Sequence, residues 1–438
     1  MSAATSYDVI VLGAGAAGLV AAAELTRGGA RVLLLEARAR VGGRIWTCRE
    51  AGLSVPAELG AEFIHGHAPR TRELLADCGV AMLDAVGSRW TLAGGQPVPS
   101  DAWFAELMQA IGRTDVLRQR DMPFDEFVQR HLAATLSPEA QLAARRMAEG
   151  FDAADTARAS ARAIVSEWQG DTLGGVPQSR PAGGYAALLG ALLQRAAPGR
   201  LTLRLQCPVH SVRWSRGAVE VMGESLGASY SARAARLVVT LPLGVLQQQA
   251  GAGAVRFEPP LAAKAAALSG LASGAVVKVL LRFDEPFWEH LAGGRYHDAS
   301  FFHATGSEVP TFWTNAPARA PLLIAWAGGP RAARLAAAPN AVLVRAALAG
   351  IESLFGRDCN PQERLQGYLY HDWQHDPYAC GAYSYVLVGG DQARAQLAEP
   401  LGETLYFAGE ATDTQDEAGT VTGALDSGVR AAREALAR

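Results

Sequence analysis

Tyr7-Asp8-Val9-Ile10-Val11-Leu12-Gly13-Ala14-Gly15-Ala16-Ala17-Gly18 is a short apolar run that breaks on three spaced glycines. Residues 7–12 read as a strand, and an alanine-rich helical stretch with Leu19, Val20, Ala23 and Leu25 follows. A second apolar run, residues 31–35, ends on Glu36. Strand, glycine turn, helix, strand and acid, in that order, form the dinucleotide-binding fingerprint in its structural context. The glycines permit a tight turn and close backbone approach. The helix that starts there aims unpaired N–H groups and a positive dipole end at a pyrophosphate. Glu36 is placed to accept hydrogen bonds from a ribose.

The 438 residues suffice for two domains or one large one. Hydrophobic residues make up 49%, enough for a sizeable core. The net charge of −3 gives no support for a nucleic-acid partner. Cys48, Cys78, Cys207, Cys359 and Cys380 are scattered, odd in number and contain no CxxC pair, so neither a disulfide framework nor a metal site is indicated. No uncharged apolar run reaches the length of a membrane span. Residues 1–6 are too short for a signal peptide ahead of the first strand, so a cytoplasmic, reducing location is expected.

Further along, helical spacing covers 101–168, with Phe124, Phe127, Val128 and Leu132 on one face. A glycine- and proline-rich break spans 174–184. Strands are expected over 201–221, 237–241 (closed by Pro242), 276–283 and 404–407. Helices are expected over 341–355 and from about 422.

Two further segments narrow the chemistry. Glu36-Ala37-Arg38 is followed by Val41-Gly42-Gly43-Arg44, and a nicotinamide domain has no need of that second glycine pair. Near the other end, Leu405-Tyr406-Phe407-Ala408-Gly409-Glu410 leads to Gly419-Thr420-Val421-Thr422-Gly423, which places a helix start beside a loop. Such a start carries about half a positive charge and suits the anionic edge of a reduced flavin. An ordinary capped helix would also favour Thr420 there. Together these segments resemble the flavin-dependent amine oxidase family, which includes monoamine oxidases, polyamine oxidases and lysine-specific histone demethylases.

That resemblance runs from Tyr7 to the last helix and implies an α/β fold. It pairs a Rossmann-type FAD-binding domain (1–85, 195–257 and 399–438) with an interleaved α+β substrate-binding domain carrying a helical segment (86–194 and 258–398). It implies that Gly13, Gly15, Gly18, Glu36, Ala37, Arg38, Gly43 and Arg44 bind the cofactor. The same holds for Gly60, Ala61, Glu62 and Phe63, for Val209 against adenine, for Trp373 and Tyr378, and for Gly409, Glu410, Thr420 and Val421 at the flavin.

Lys278 is one of only two lysines, set in the apolar run Val276-Val277-Lys278-Val279-Leu280. A buried ammonium is costly unless paired or deprotonated. The alternative is an edge strand whose lysine reaches solvent. By resemblance Lys278 holds a water against flavin N5. Tyr383, in Ala379-Cys380-Gly381-Ala382-Tyr383-Ser384, forms one wall of an aromatic cage for the amine. Thr420 stands where many monoamine oxidases place a second tyrosine, a departure toward the demethylase pattern that implies a wider pocket. Ala382 stands where monoamine oxidases tether FAD through cysteine, with Cys380 two residues too early, so FAD is expected to be non-covalent. Trp313 matches a tryptophan near the ring, and His65 matches a substrate-contacting position of polyamine oxidases.

The implied activity is oxidation of a polyamine or other secondary or primary amine. Hydride passes to flavin N5, the imine hydrolyses, and dioxygen is reduced to hydrogen peroxide. Lys278, Tyr383, His65 and Thr420 are the expected catalytic residues, and Trp313, Tyr383 and His65 the substrate contacts. The expected partners are the small amine and dioxygen, with no nucleic acid, membrane or metal, and the chain a monomer or homodimer. The alternatives are an L-amino-acid oxidase, which needs a pocket arginine for the carboxylate, and a flavoprotein that mainly binds a peptide or protein tail.

Overall fold

The computed structural model describes residues 7–50, 52–99, 102–170 and 178–437. The first strand, Val9–Leu12, is central in a five-stranded parallel sheet. Val32–Leu35 and then Leu201–Arg204 lie on one side of it, and Arg236–Val239 and then Leu405–Phe407 on the other. Alternate residues point to opposite faces of a strand. Val9, Val11, Val32, Leu34 and Val238 pack on the helices Ala16–Arg27 and Val421–Leu436. Ile10, Leu12, Leu33, Leu35 and Val239 pack on a four-stranded sheet. That sheet comprises Val209–Ser215, Ala218–Ser225, Ala228–Ala234 and Arg256–Glu258. Burial on both faces explains why the central strands read as unbroken apolar runs.

The two helices meet closely: a Cβ on Gly428 would collide with the carbonyl of Ala17. This contact binds the two ends of the sequence into one layer.

The strand expected over 237–241 stops at Val239. Beyond it the Thr240 amide (3.1 Å) and hydroxyl (2.6 Å) both donate to the carbonyl of Leu12. The expected start at residue 7 moves to Val9, and the last helix starts at Val421.

A second, seven-stranded sheet has the order Leu365–Tyr370, Val276–Phe283, Leu322–Gly328, Thr311–Trp313, Ala299–His303, Ser88–Ala93 and Gln96–Pro99. Of these seven strands only Val276–Phe283 was read from the sequence. Val276–Phe283 is paired on both sides, which removes the edge-strand alternative for Lys278. Val277, Val279, Leu281 and Phe283 face a core closed by helices Gly329–Ala336 and Asn340–Phe355. Lys278 and Leu280 alternate onto the other face.

Helices between Ala102 and Gln169 form a separate apolar cluster. Phe124, Phe127, Val128 and Leu132 are fully buried in it, the backbone widening to a π-helical turn over Val128–Leu132. The break read over 174–184 lies, up to 177, outside the described residues; from there Ser179–Pro181 pairs with Met82–Asp84. Among the described residues no helix is long and apolar enough to cross a membrane.

Candidate active site

A cavity of about 1480 Å³ runs between the parallel sheet, the seven-stranded sheet and the helical segment. At its parallel-sheet end lies the glycine turn. Gly13 adopts φ +96°, and a Cβ there would press on the Thr240 hydroxyl at 2.8 Å. A Cβ on Gly18 would collide with the carbonyl of Gly13, which explains a glycine that does not itself line the cavity. Gly15 caps helix Ala16–Arg27 with no side chain, so among the described residues no capping side chain occupies the helix start. Glu36 is buried and accepts the amides of Ala14 (2.8 Å) and Arg38 (2.9 Å), locking the turn to the second strand. This cradle fits a pyrophosphate and ribose.

Around it, Arg38 pairs with Asp376 at 2.6 Å, and Asp376 also meets His371 Nε2 at 2.7 Å. Burial alone would raise the Asp376 carboxyl, but the hydrogen bonds from His371 and Arg38 hold it well below the carboxylate range. Ala37, Val209, Trp373 and Tyr378 line the same end.

Arg44 ties the two ends of the sequence together. Its Nη1 donates to Glu410 Oε1 at 2.9 Å and to the carbonyl of Ala382. Glu410 Oε2 accepts from Ser384 Oγ at 2.6 Å, and Arg394 donates to that same hydroxyl (2.6 Å) and to the Ser384 carbonyl (3.0 Å). Burial pushes Glu410 up, but Arg44 and Arg394 outweigh it and keep the carboxylate charged. Thr420 caps the last helix by accepting the amide of Gly423 at 3.1 Å, and Val421 opens that helix. Gly43, Gly409, Thr420 and Val421 all line the cavity.

Lys278 sits in a buried ionic cluster. Its Nζ lies 2.8 Å from Glu62 Oε2 and donates to the carbonyl of Gly60 at 3.0 Å. Glu62 Oε1 accepts from Arg180 Nε (2.7 Å) and Trp313 Nε1 (3.0 Å). Burial would raise the Glu62 carboxyl, yet Lys278 and Arg180 bring it below its ordinary value. Arg180 also caps the carbonyls of Thr314 and Ala316. Glu62, expected among the cofactor-binding residues, thus centres the cluster with its side chain. Gly60 cannot carry a Cβ, which would strike the carbonyl of Arg44, so the Lys278 acceptor and the second glycine motif are packed together.

Tyr383 donates its hydroxyl to the carbonyl of Phe151 at 2.7 Å and lies against Gly419. Burial, followed by nearby carboxylates, raises its pKa, so it stays a phenol. His65 meets the ring of Phe151 edge-on at 5.3 Å and that of Phe63 at 5.9 Å. Burial lowers its pKa to about 4 and leaves the imidazole neutral. Tyr383, His65, Trp313, Ala61, Phe63 and Lys278 therefore share one cavity wall system. Cys380 is turned away: its thiol is met by Gln248 Nε2 at 2.8 Å and faces the carbonyls of Asp376 and Pro377.

Arg180, Asp376, Ser384 and Arg394 were missed from the sequence. Arg180 falls in the break read over 174–184 and Ser384 at the end of the run quoted with Tyr383, but no pattern there marks either side chain; in a chain of 38 arginines only the contacts single out two of them.

The sequence model of a family described as flavin containing amine oxidoreductase matches residues 16–436. Human lysine-specific histone demethylase 2 is 29% identical over 98% of this chain and 53% of its own length. Lysine-specific histone demethylase 1 homolog 3 of Arabidopsis thaliana is 29% identical over 97% of this chain and 29% of its own length. The chain therefore spans only about a third to a half of these demethylases. Polyamine oxidase 4 of rice (Oryza sativa subsp. japonica) is 27% identical over 99% of this chain and 90% of its own. A structure of putrescine oxidase bound to putrescine superposes over 100% of both chains with TM-score 0.82 at 20% identity. Cyclohexylamine oxidase from Brevibacterium oxydans gives TM-score 0.75 at 24% identity over 99% of this chain and 98% of its own.

Proposed function

The chain belongs to the flavin-containing amine oxidoreductases, and from that premise we propose that it oxidises an amine, in the first place a polyamine or another secondary amine, at a non-covalently held FAD. When bound, FAD would supply the two-electron acceptor for oxidation of the carbon next to the amine nitrogen, with dioxygen as the final oxidant. For a secondary amine the sum is R–CH₂–NH–R′ + O₂ + H₂O → R–CHO + H₂N–R′ + H₂O₂. The observation that carries this reading is the joining of both sequence ends across one cavity, Arg44 to Glu410 and to the loop of Tyr383.

The residues divide the remaining work. The glycine cradle and Glu36 bind the dinucleotide, and the uncapped helix start neutralises its phosphates. Lys278, fixed by Glu62 and the Gly60 carbonyl, holds a water beside the reacting edge. His65, neutral at physiological pH, accepts a hydrogen bond from the amine N–H and so orients it. Tyr383, fixed through Phe151, presents its ring to the amine. Ala382, which carries no nucleophile, leaves the cofactor untethered.

A second reading, an amine borne on a peptide tail, is favoured by the demethylase relatives. An amino-acid oxidase needs an arginine for the carboxylate. Arg38, Arg44, Arg180 and Arg394 are already held by carboxylates or carbonyls, while Arg89, Arg146 and Arg331 also line the cavity. The test is a peroxide-coupled screen of the purified holoprotein with polyamines, monoamines, methyl-lysine peptides and amino acids. Peroxide from amino acids alone overturns the amine assignment, and peroxide from peptides alone replaces the small amine with the tail.

A further inference from the structure

The sheet that carries Lys278 forms a floor that leads away from the reaction centre. Lys278 pairs across to Trp326, Trp326 to Thr311, Thr311 to His303 and His303 to Thr91, and all five line the cavity. Neighbouring strands lie about 4.8 Å apart, which puts His303 about 14 Å and Thr91 about 19 Å from Lys278 along this row. Trp313, Phe301 and Arg89 form a second row on the same face, two residues along each strand. The rings trace the same path. His65 meets Phe63 at 5.9 Å, Phe63 meets Phe301 at 5.9 Å, and the Arg89 guanidinium lies 5.2 Å over Phe301. The way out from His65 is thus aromatic, and it ends on a cation.

That cation has no counter-charge of its own. Arg38, Arg44 and Arg162, which line the same cavity, are each held by a carboxylate. Arg89 is exposed, and among the described residues it makes no hydrogen bond or ion pair. His303 is its diagonal neighbour on the next strand. Burial, followed by Arg89, lowers the His303 pKa to about 4, so the ring is neutral and keeps one N–H. Its Nδ1 has only a long contact with the Thr311 hydroxyl, at 3.5 Å. Thr91, opposite His303, adds a hydroxyl. No carboxylate is among the groups that act on His303; Glu106, Glu139 and Glu149 belong to the helical wall. A guanidinium, an imidazole N–H and a hydroxyl on adjacent strands are a donor set for an oxyanion.

We propose that Arg89, with His303 and Thr91, is a subsite for a carboxylate at the far end of the substrate, so that the amine oxidised carries an acid remote from its reacting nitrogen. This rests on the amine-oxidising reading and narrows it. A polyamine laid along this floor sets its far ammonium against the guanidinium, whereas a carboxylate there is paired. An α-amino acid is too short, because its carboxylate stays beside the reacting carbon. A site built around a polar partner discriminates against an analogue lacking it.

The test uses the holoenzyme with N-methyl ω-amino acids of four to twelve carbons, each against the N-methylalkylamine in which a methyl group replaces the carboxylate. At the best length the acid is expected to exceed its alkylamine at least tenfold in kcat/KM, chiefly through KM. Arg89→Gln is expected to lower that ratio at least tenfold at unchanged flavin content. A wild-type ratio near or below one, or a ratio that Arg89→Gln leaves unaltered, overturns the subsite. Should Arg89→Gln not fold, His303→Phe decides: the ratio falls at least threefold or the subsite is wrong. Absence of turnover with every amine would remove the amine-oxidising reading. The subsite is then judged by calorimetric binding of the same ω-amino acids, whose Kd must weaken at least tenfold in Arg89→Gln; equal binding overturns it.

Discussion

Removing Glu62 and removing Lys278 are expected to have unequal costs, although the two form one ion pair. Both side chains are buried, at 6% and 3% exposure. Glu62→Ala strips the carboxylate from two cations at once. Lys278 then keeps only the Gly60 carbonyl, Arg180 keeps those of Thr314 and Ala316, and Trp313 Nε1 loses its acceptor. Breaking a buried pair in this way costs about 3–5 kcal/mol. Lys278→Met roughly conserves volume, and Glu62 still receives Arg180 at 2.7 Å and Trp313 at 3.0 Å. Its cost is about 1–2 kcal/mol, that of a volume-conserving exchange beside a carboxylate that keeps its other partners. With an unfolding entropy of about 2.1 cal/mol/K per residue, each kcal/mol moves the midpoint of a chain this long by roughly 1 °C. Glu62→Ala should thus melt about 3–5 °C below the wild type and Lys278→Met about 1–2 °C below. The assay is thermal unfolding of flavin-saturated protein by circular dichroism at one scan rate. A Lys278→Met midpoint as low as that of Glu62→Ala would refute the reasoning, because it would mean that Arg180 and Trp313 do not satisfy Glu62 alone.

Three further outcomes are expected. In stopped-flow with an oxidised amine, Lys278→Met should slow flavin reduction or reoxidation at least tenfold, and unchanged rates in both half-reactions would remove the lysine from the chemistry. Acid precipitation should leave the yellow colour in the supernatant, because Ala382 offers no attachment and Cys380 is directed at Gln248; a yellow pellet contradicts this. His65 is held at about 4 in the folded protein against an ordinary 6.5. The unfolded chain therefore binds the extra proton first, and the stability contributed by the neutral ring is complete above 6.5 and lost as pH falls toward 4. From pH 6.5 to 5 that loss is about 2 kcal/mol, so denaturant titrations should show wild type and His65→Gln drawing together or crossing by that amount, and a constant gap would contradict the burial of His65.

The parts of this protein written in its sequence are those fixed by near neighbours. The strand, glycine turn, helix, strand and acid of residues 7–36 were legible because each step depends on local backbone freedom and on the alternation of buried side chains. The same holds for the run Val276–Phe283 and for the capped start of the last helix. Tertiary closure alone decided which charges meet. Lys278 and Glu62, Arg38 and Asp376, and Arg44 and Glu410 are paired across 216, 338 and 366 residues, separations at which no periodicity carries information. Pairing of Val276–Phe283 on both sides turned a lysine that could have reached water into a buried one. Local propensity chooses the elements, but the low dielectric that makes a charge costly unless it is matched exists only once those elements have closed around it.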